Sequence, residues 1–177
     1  YLLLIVMLLS LYGNKIIMDQ LLNNLKVQIN EKIYLKDPES SDLGKRIISN
    51  SIQMIHKMGF EQFTFKKLGA QISSNESSIY RYFENKHLLL VYLVSWYWEW
   101  MRFQVEMNTL NVEEPKRQLK IAIKSIVATA RRNASIDFVD EDILHRIVVG
   151  EATKAYHTSD VDEDNRKGFF LSYKALS

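Results

Sequence analysis

The chain has 177 residues, 47% hydrophobic and 25% charged, enough apolar content for a small head on a helical body. Six glycines and two prolines favour long helices over a hairpin-rich β fold, and the absence of cysteine excludes disulfides, thiolate zinc sites and a cysteine nucleophile. The net charge of +2 announces no nucleic-acid partner by itself.

Residues 1–12 are almost wholly apolar, too short to span a bilayer, which takes about 20 residues. We read 1–17 as an extension that is not native, with Met18 as the start. Leu21, Leu22, Leu25, Ile29, Ile33 and Tyr34 then recur at helical spacing, which predicts an N-terminal helix or arm over 18–41. Asp37-Pro38 breaks it, and Ser41 or Asp42 can cap the next helix, whose stripe is Leu43, Ile47, Ile48, Ile52, Ile55 and Met58. Gly59 is its expected left-handed stop. Thr64 is the N-cap of a helix over Phe65 to about Gln71, and Asn75 caps a second, Glu76 to Phe83. A long helix follows from Lys86 to about Met107. Beyond Pro115, Leu119, Ile123, Ile126, Val127 and Ala130 form another stripe, and a last helix covers Asp142 to about His157. Phe169, Phe170, Leu171 and Tyr173 read as a helix still in progress. The fold class is all-α: a three-helix head with a helix-turn-helix over 42–90, joined by a long fourth helix to a helical, incomplete C-terminal body over 91–177.

Charge is unevenly spread along this order. Residues 42–86 hold seven basic and four acidic side chains, whereas 137–164 hold nine acidic and two basic. That asymmetry fits a DNA-binding end held away from a body that DNA does not touch.

A helix that reads DNA is short, anchored by its own apolar face, and lined with small polar residues on the other. Glu76–Phe83 meets this description. At about 100° per residue, Ile79, Tyr82 and Phe83 share the inward face, while Ser77 and Arg81 centre the outward one with Glu76, Ser78 and Tyr80 beside them. Thr64, Lys66 and Lys67 precede this helix and Lys86 follows it, bracketing it with phosphate anchors.

Thr64-Phe65-Lys66-Lys67-Leu68-Gly69, then Asn75-Glu76-Ser77-Ser78-Ile79-Tyr80-Arg81-Tyr82-Phe83-Glu84-Asn85-Lys86, then His87-Leu88-Leu89 resemble the signature of the tetracycline-repressor (TetR) family. The resemblance covers about Leu43 to Tyr92. Three positions depart from it: Ser73 and Ser74 stand where a glycine and an apolar residue are usual, and Gly69 replaces a common alanine. The resemblance implies that Thr64 and Lys66 bind phosphates, that Asn75, Ser77 and Ser78 approach bases or phosphates, and that Tyr80 and Lys86 reach phosphates. Arg81 would contact either, and Lys67 joins the candidate set.

The same resemblance implies a homodimeric, ligand-responsive repressor on double-stranded DNA, with a small-molecule effector in the body. Trp96, Tyr97, Trp100 and Phe103 are the candidate pocket lining, although such stripes are more often plain core. No glycine-rich phosphate loop, nucleophile elbow or metal-binding His pair appears, so the expectation is no enzymatic activity, cofactor, catalytic residue or metal. The expected location is the cytoplasm, without membrane association. The alternatives are a helical interaction module whose helix-turn-helix does not bind DNA, and a membrane-tethered regulator anchored through 1–12.

Overall fold

A computed structural model describes residues 27–129, 137–156 and 165–169. The apolar opening, Met18, Leu21, Leu22, Leu25, Ala130, His157, the acids at 160–164 and Phe170 onward lie outside the described residues. Within them the chain is all-α, with six α-helices and no strand. They are α1 (Asp42–Gln62), α2 (Phe65–Gln71), α3 (Glu76–Tyr80), α4 (Lys86–Thr109), α5 (Pro115–Thr129) and α6 (Glu141–Tyr156).

Over residues 27–41, ahead of α1, the chain forms an arm of short turns. Residues 27–30 are irregular, and the 3-10 turns Glu31–Ile33 and Pro38–Ser40 are capped by Asn30 and Asp37, whose side chains accept from the N–H of Lys32 and Glu39. These local acceptors compete with a continuing helix, and Pro38 removes a helical donor. Ile29 and Ile33 are nevertheless buried, as their spacing predicts, and Pro38 is buried against α1. Gly44 makes that approach possible: a Cβ there would lie 2.1 Å from the Pro38 carbonyl oxygen.

Ser41 caps α1, its hydroxyl accepting from the Gly44 N–H at 3.2 Å. Ile47, Ile48, Ile52 and Ile55 then turn their stripe fully into the core. Gly59 interrupts the helix, as expected, but in another conformation. Its φ is 76° and its ψ 156°, a region that only glycine enters without strain, and one further turn, residues 60–62, follows.

The centre of the molecule is α4. From Leu89 to Tyr97 every residue is buried, so this stretch of the helix is enclosed on all sides, as its apolar sequence, broken only by Ser95, requires. It packs against α5, α6 and the arm, while α6 also packs along α1. Glu39 ties the arm to α4, its Oε1 accepting from the Tyr92 hydroxyl and the Trp96 indole N–H, both at 3.0 Å. Burial, followed by the adjacent Glu39 carboxylate, pushes the Tyr92 phenol well above its ordinary pKa.

Candidate nucleic-acid interface

The α2–turn–α3 unit is built from the caps outward. The Thr64 hydroxyl accepts from the Lys67 N–H at 3.2 Å, opening α2 and leaving its side chain at the surface. Phe65 and Leu68 face the core. The turn returns sharply, with the Ser74 N–H donating to the Gly69 carbonyl at 2.9 Å. A Cβ on Gly69 would stand 2.8 Å from the Ser74 carbonyl oxygen, so the departure from alanine is a steric requirement of this turn. Ser73 takes the positive φ of 52° that glycine usually supplies, a conformation uncommon for other residues.

Asn75 opens α3. Its Oδ1 accepts from both the Ser78 N–H at 2.7 Å and the Ser78 hydroxyl at 2.6 Å. The helix ends at Tyr80, earlier than the Phe83 expected from spacing, because the N–H groups of Tyr82 and Phe83 both turn back to the Ile79 carbonyl. The inward set survives this: Ile79, Tyr82 and Phe83 are all buried. The arm completes the turn, with the Leu35 N–H donating to the Tyr82 carbonyl at 2.8 Å and the Ser41 hydroxyl 2.8 Å from the Tyr82 hydroxyl. Burial raises the Tyr82 phenol, but the Ser41 contact and the Lys36 ammonium outweigh it and hold the pKa below the ordinary value.

The outward residues of the unit are exposed one by one. Lys66, Ser77 and Arg81 are exposed and make no side-chain hydrogen bond among the described residues, which leaves their polar groups to solvent. Lys67 is exposed with its ammonium 2.7 Å from the Gln62 carbonyl. Tyr80 is 46% exposed, its ring edge-on to Phe65 at 5.1 Å and its hydroxyl donating weakly to Glu76 at 3.4 Å. That ring contact joins the start of α2 to α3.

Lys86 is placed differently from the exposed phosphate donor that its position suggests. Its ammonium donates to the carbonyls of Phe60, Glu61 and Phe63 at 3.1, 3.2 and 3.2 Å, and lies 4.7 Å from the Phe60 ring centre. Its three donors satisfy the carbonyls left open where α1 ends. The side chain closes a corner of the fold instead of extending into solvent.

Of the candidate pocket lining, Trp96, Tyr97 and Trp100 are core, and Phe103 is half-buried against it. Trp96, Tyr97 and Trp100 are at most 2% exposed, and Trp100 stacks between Trp96 at 5.9 Å and Phe103 at 5.6 Å. Two cavities of about 330 and 380 Å³ are lined by other residues, among them Asn30, Ser95 and Glu99 in one and Thr109 and Gln118 in the other. Tyr97 reaches α6, its hydroxyl 2.7 Å from His145 Nδ1, and burial pushes its pKa up to about 12.

Sequence reasoning missed Arg46, whose guanidinium donates to the Ile72 carbonyl at 3.2 Å and closes the end of α2. It also missed Glu151, which reaches the end of α1 from α6. Both are long-range contacts that leave no local spacing signal. Among the described residues, no group of three or more His, Asp or Glu side chains is arranged to hold a metal, and no helix is long and apolar enough to cross a membrane. Compared with known protein families, with curated proteins and with solved structures, the chain matches none.

Proposed function

We propose that this chain is a DNA-binding transcriptional regulator of the TetR type, working as a homodimer. The observation that carries the reading is the two-sided build of α3. Ile79 anchors it completely while Asn75, Ser77 and Ser78 keep its leading edge small and polar, with Lys66 and Arg81 exposed around it. Small polar residues on an anchored helix allow backbone approach to base edges in a major groove, and cations beside them set register on phosphates.

Dimerisation follows from affinity. A single head covers roughly 600–1,000 Å² of protein surface, too little for tight operator binding, whereas two heads one helical turn apart read two half-sites. The contact set proposed for DNA is Thr64, Lys66, Lys67, Asn75, Ser77, Ser78, Tyr80 and Arg81. Lys86 acts behind it, as a support.

The test is fluorescence anisotropy with the region upstream of the protein's own gene, at two salt concentrations and with competitor DNA. Binding that outlasts competitor and weakens about 1,000-fold or more between about 50 and 200 mM salt is the expected result for six or more phosphate contacts. Binding that is absent, or indifferent to salt, overturns the reading in favour of a helical interaction module.

A further inference from the structure

The corner that ends α1 is held from two sides. On one side stands Lys86, the first residue of α4, bonded to the three carbonyls of residues 60, 61 and 63. On the other, α6 reaches in from the body. Glu151 Oε1 accepts the Phe60 N–H at 3.2 Å, and Lys154 bridges Glu151 Oε2 at 2.7 Å and Glu61 Oε1 at 3.3 Å. Phe60 is thus fixed through its N–H by α6 and through its carbonyl by α4. Backbone groups next to a helix break need such partners, and here the body supplies one.

The corner leads directly into α2. Phe63 is fully buried, its N–H donates to the Phe60 carbonyl at 3.3 Å, and the next residue is Thr64, the cap of α2. Little slack separates Phe60 from Thr64, Lys66 and Lys67. The Glu151 side chain is 18% exposed, so its bond to Phe60 is largely shielded from competing water.

We propose that Glu151 is a positioning residue for DNA binding: from α6, through its bond to the Phe60 N–H, it sets the N-terminal end of α2. This inference rests on the regulator reading and adds to it a residue, outside the helix-turn-helix, that holds α2 in place. Glu151 lies 91 residues from Phe60 in sequence and touches no proposed DNA contact itself.

The test uses the full chain, its Glu151→Ala and Glu151→Gln variants, and a fluorescein-labelled mixed-sequence duplex, at a temperature where circular dichroism shows all three folded. Glu151→Ala should bind about 3–10-fold more weakly, with a salt slope shallower by about 1–2 as the α2 anchors disengage. Glu151→Gln keeps a carbonyl for the Phe60 N–H and should retain the wild-type slope. Glu151→Asp, too short to reach Phe60 but still charged beside Lys154, should reproduce the shallower slope and serves if the alanine variant does not fold. A lowered melting temperature with an unchanged slope in the folded variants marks a merely structural role and overturns the inference alone. A wild type without salt-dependent binding overturns the regulator reading beneath it.

Discussion

Helices α1 and α5 carry the same kind of sequence signal and meet opposite fates. In α1 the stripe Ile47, Ile48, Ile52 and Ile55 is at most 1% exposed. In α5 the stripe Leu119, Ile123, Ile126 and Val127 is between 38% and 62% exposed, because the helix rests on α4 through a different face, with Ser125 buried. The Asn108 amide donates to the Ser125 hydroxyl at 3.0 Å, so a polar bond marks the side that faces inward. Helical spacing states which face is apolar. Whether that face is covered depends on neighbours that the spacing does not name.

The sharpest break of this contrast is a pair of alanine substitutions followed by urea unfolding. Ile52→Ala should cost about 2–5 kcal/mol, the loss of buried methyl groups plus the cavity they leave. Ile123→Ala, on the exposed stripe, should stay within about 0.5 kcal/mol. Equal losses would show that α5 is covered in solution and that the contrast belongs to the isolated chain.

Lys86→Met sharpens the other difference, the way the end of α1 is held. Three carbonyls would lose a charged donor, and the expected loss is about 1–3 kcal/mol in the same unfolding assay. Under the proposed function, the salt slope of DNA binding per folded molecule should stay as in the wild type, since the ammonium is engaged by three carbonyls. A stable variant with a shallower slope would return Lys86 to the DNA contacts.

The inner face of α4 answers to pH. Burial raises the Tyr97 phenol to about 12 against an ordinary value of 10.0. A folded pKa above the unfolded one means that the protonated phenol favours the fold. Its contribution is therefore complete below pH 10, and is lost as the pH rises from about 10 through about 12. Thermal melts of Tyr97→Phe and wild type should show the wild type losing more stability than the variant across that window. Parallel curves would remove Tyr97 from the account.

Tyr80→Phe is expected to be the smallest perturbation of stability, within about 0.5 kcal/mol, because its hydroxyl is exposed and only weakly bonded to Glu76. Its consequence should appear in DNA affinity, with a salt slope lowered by about 1. Unchanged affinity in an anisotropy titration would take Tyr80 off the interface.

Much of the head is legible in the sequence. Ser41, Thr64 and Asn75 are caps because short oxygen-bearing side chains at those places satisfy N–H groups three residues on. Ile79, Tyr82 and Phe83 face inward as their spacing predicts, although the backbone leaves the helix after Tyr80. The arm is less legible, because Ile29 and Ile33 have helical spacing while Asn30 and Asp37 offer caps to local turns, and the caps prevail. Lys86 misleads for a related reason. A lysine at a helix start reads as a phosphate seat, and nothing local shows that three carbonyls from residues 60–63 lie within its reach.

By itself the sequence determined the helical class, the capped ends, the turn at Ser73-Ser74-Asn75, and the polar edge of α3, all set by interactions within a few residues. The tertiary structure alone decided that Trp96, Tyr97 and Trp100 are core, that the α5 stripe is exposed, and that Lys86 and Glu151 meet at Phe60. Those outcomes depend on which surfaces arrive together from distant parts of the chain, and on which buried polar groups then need partners.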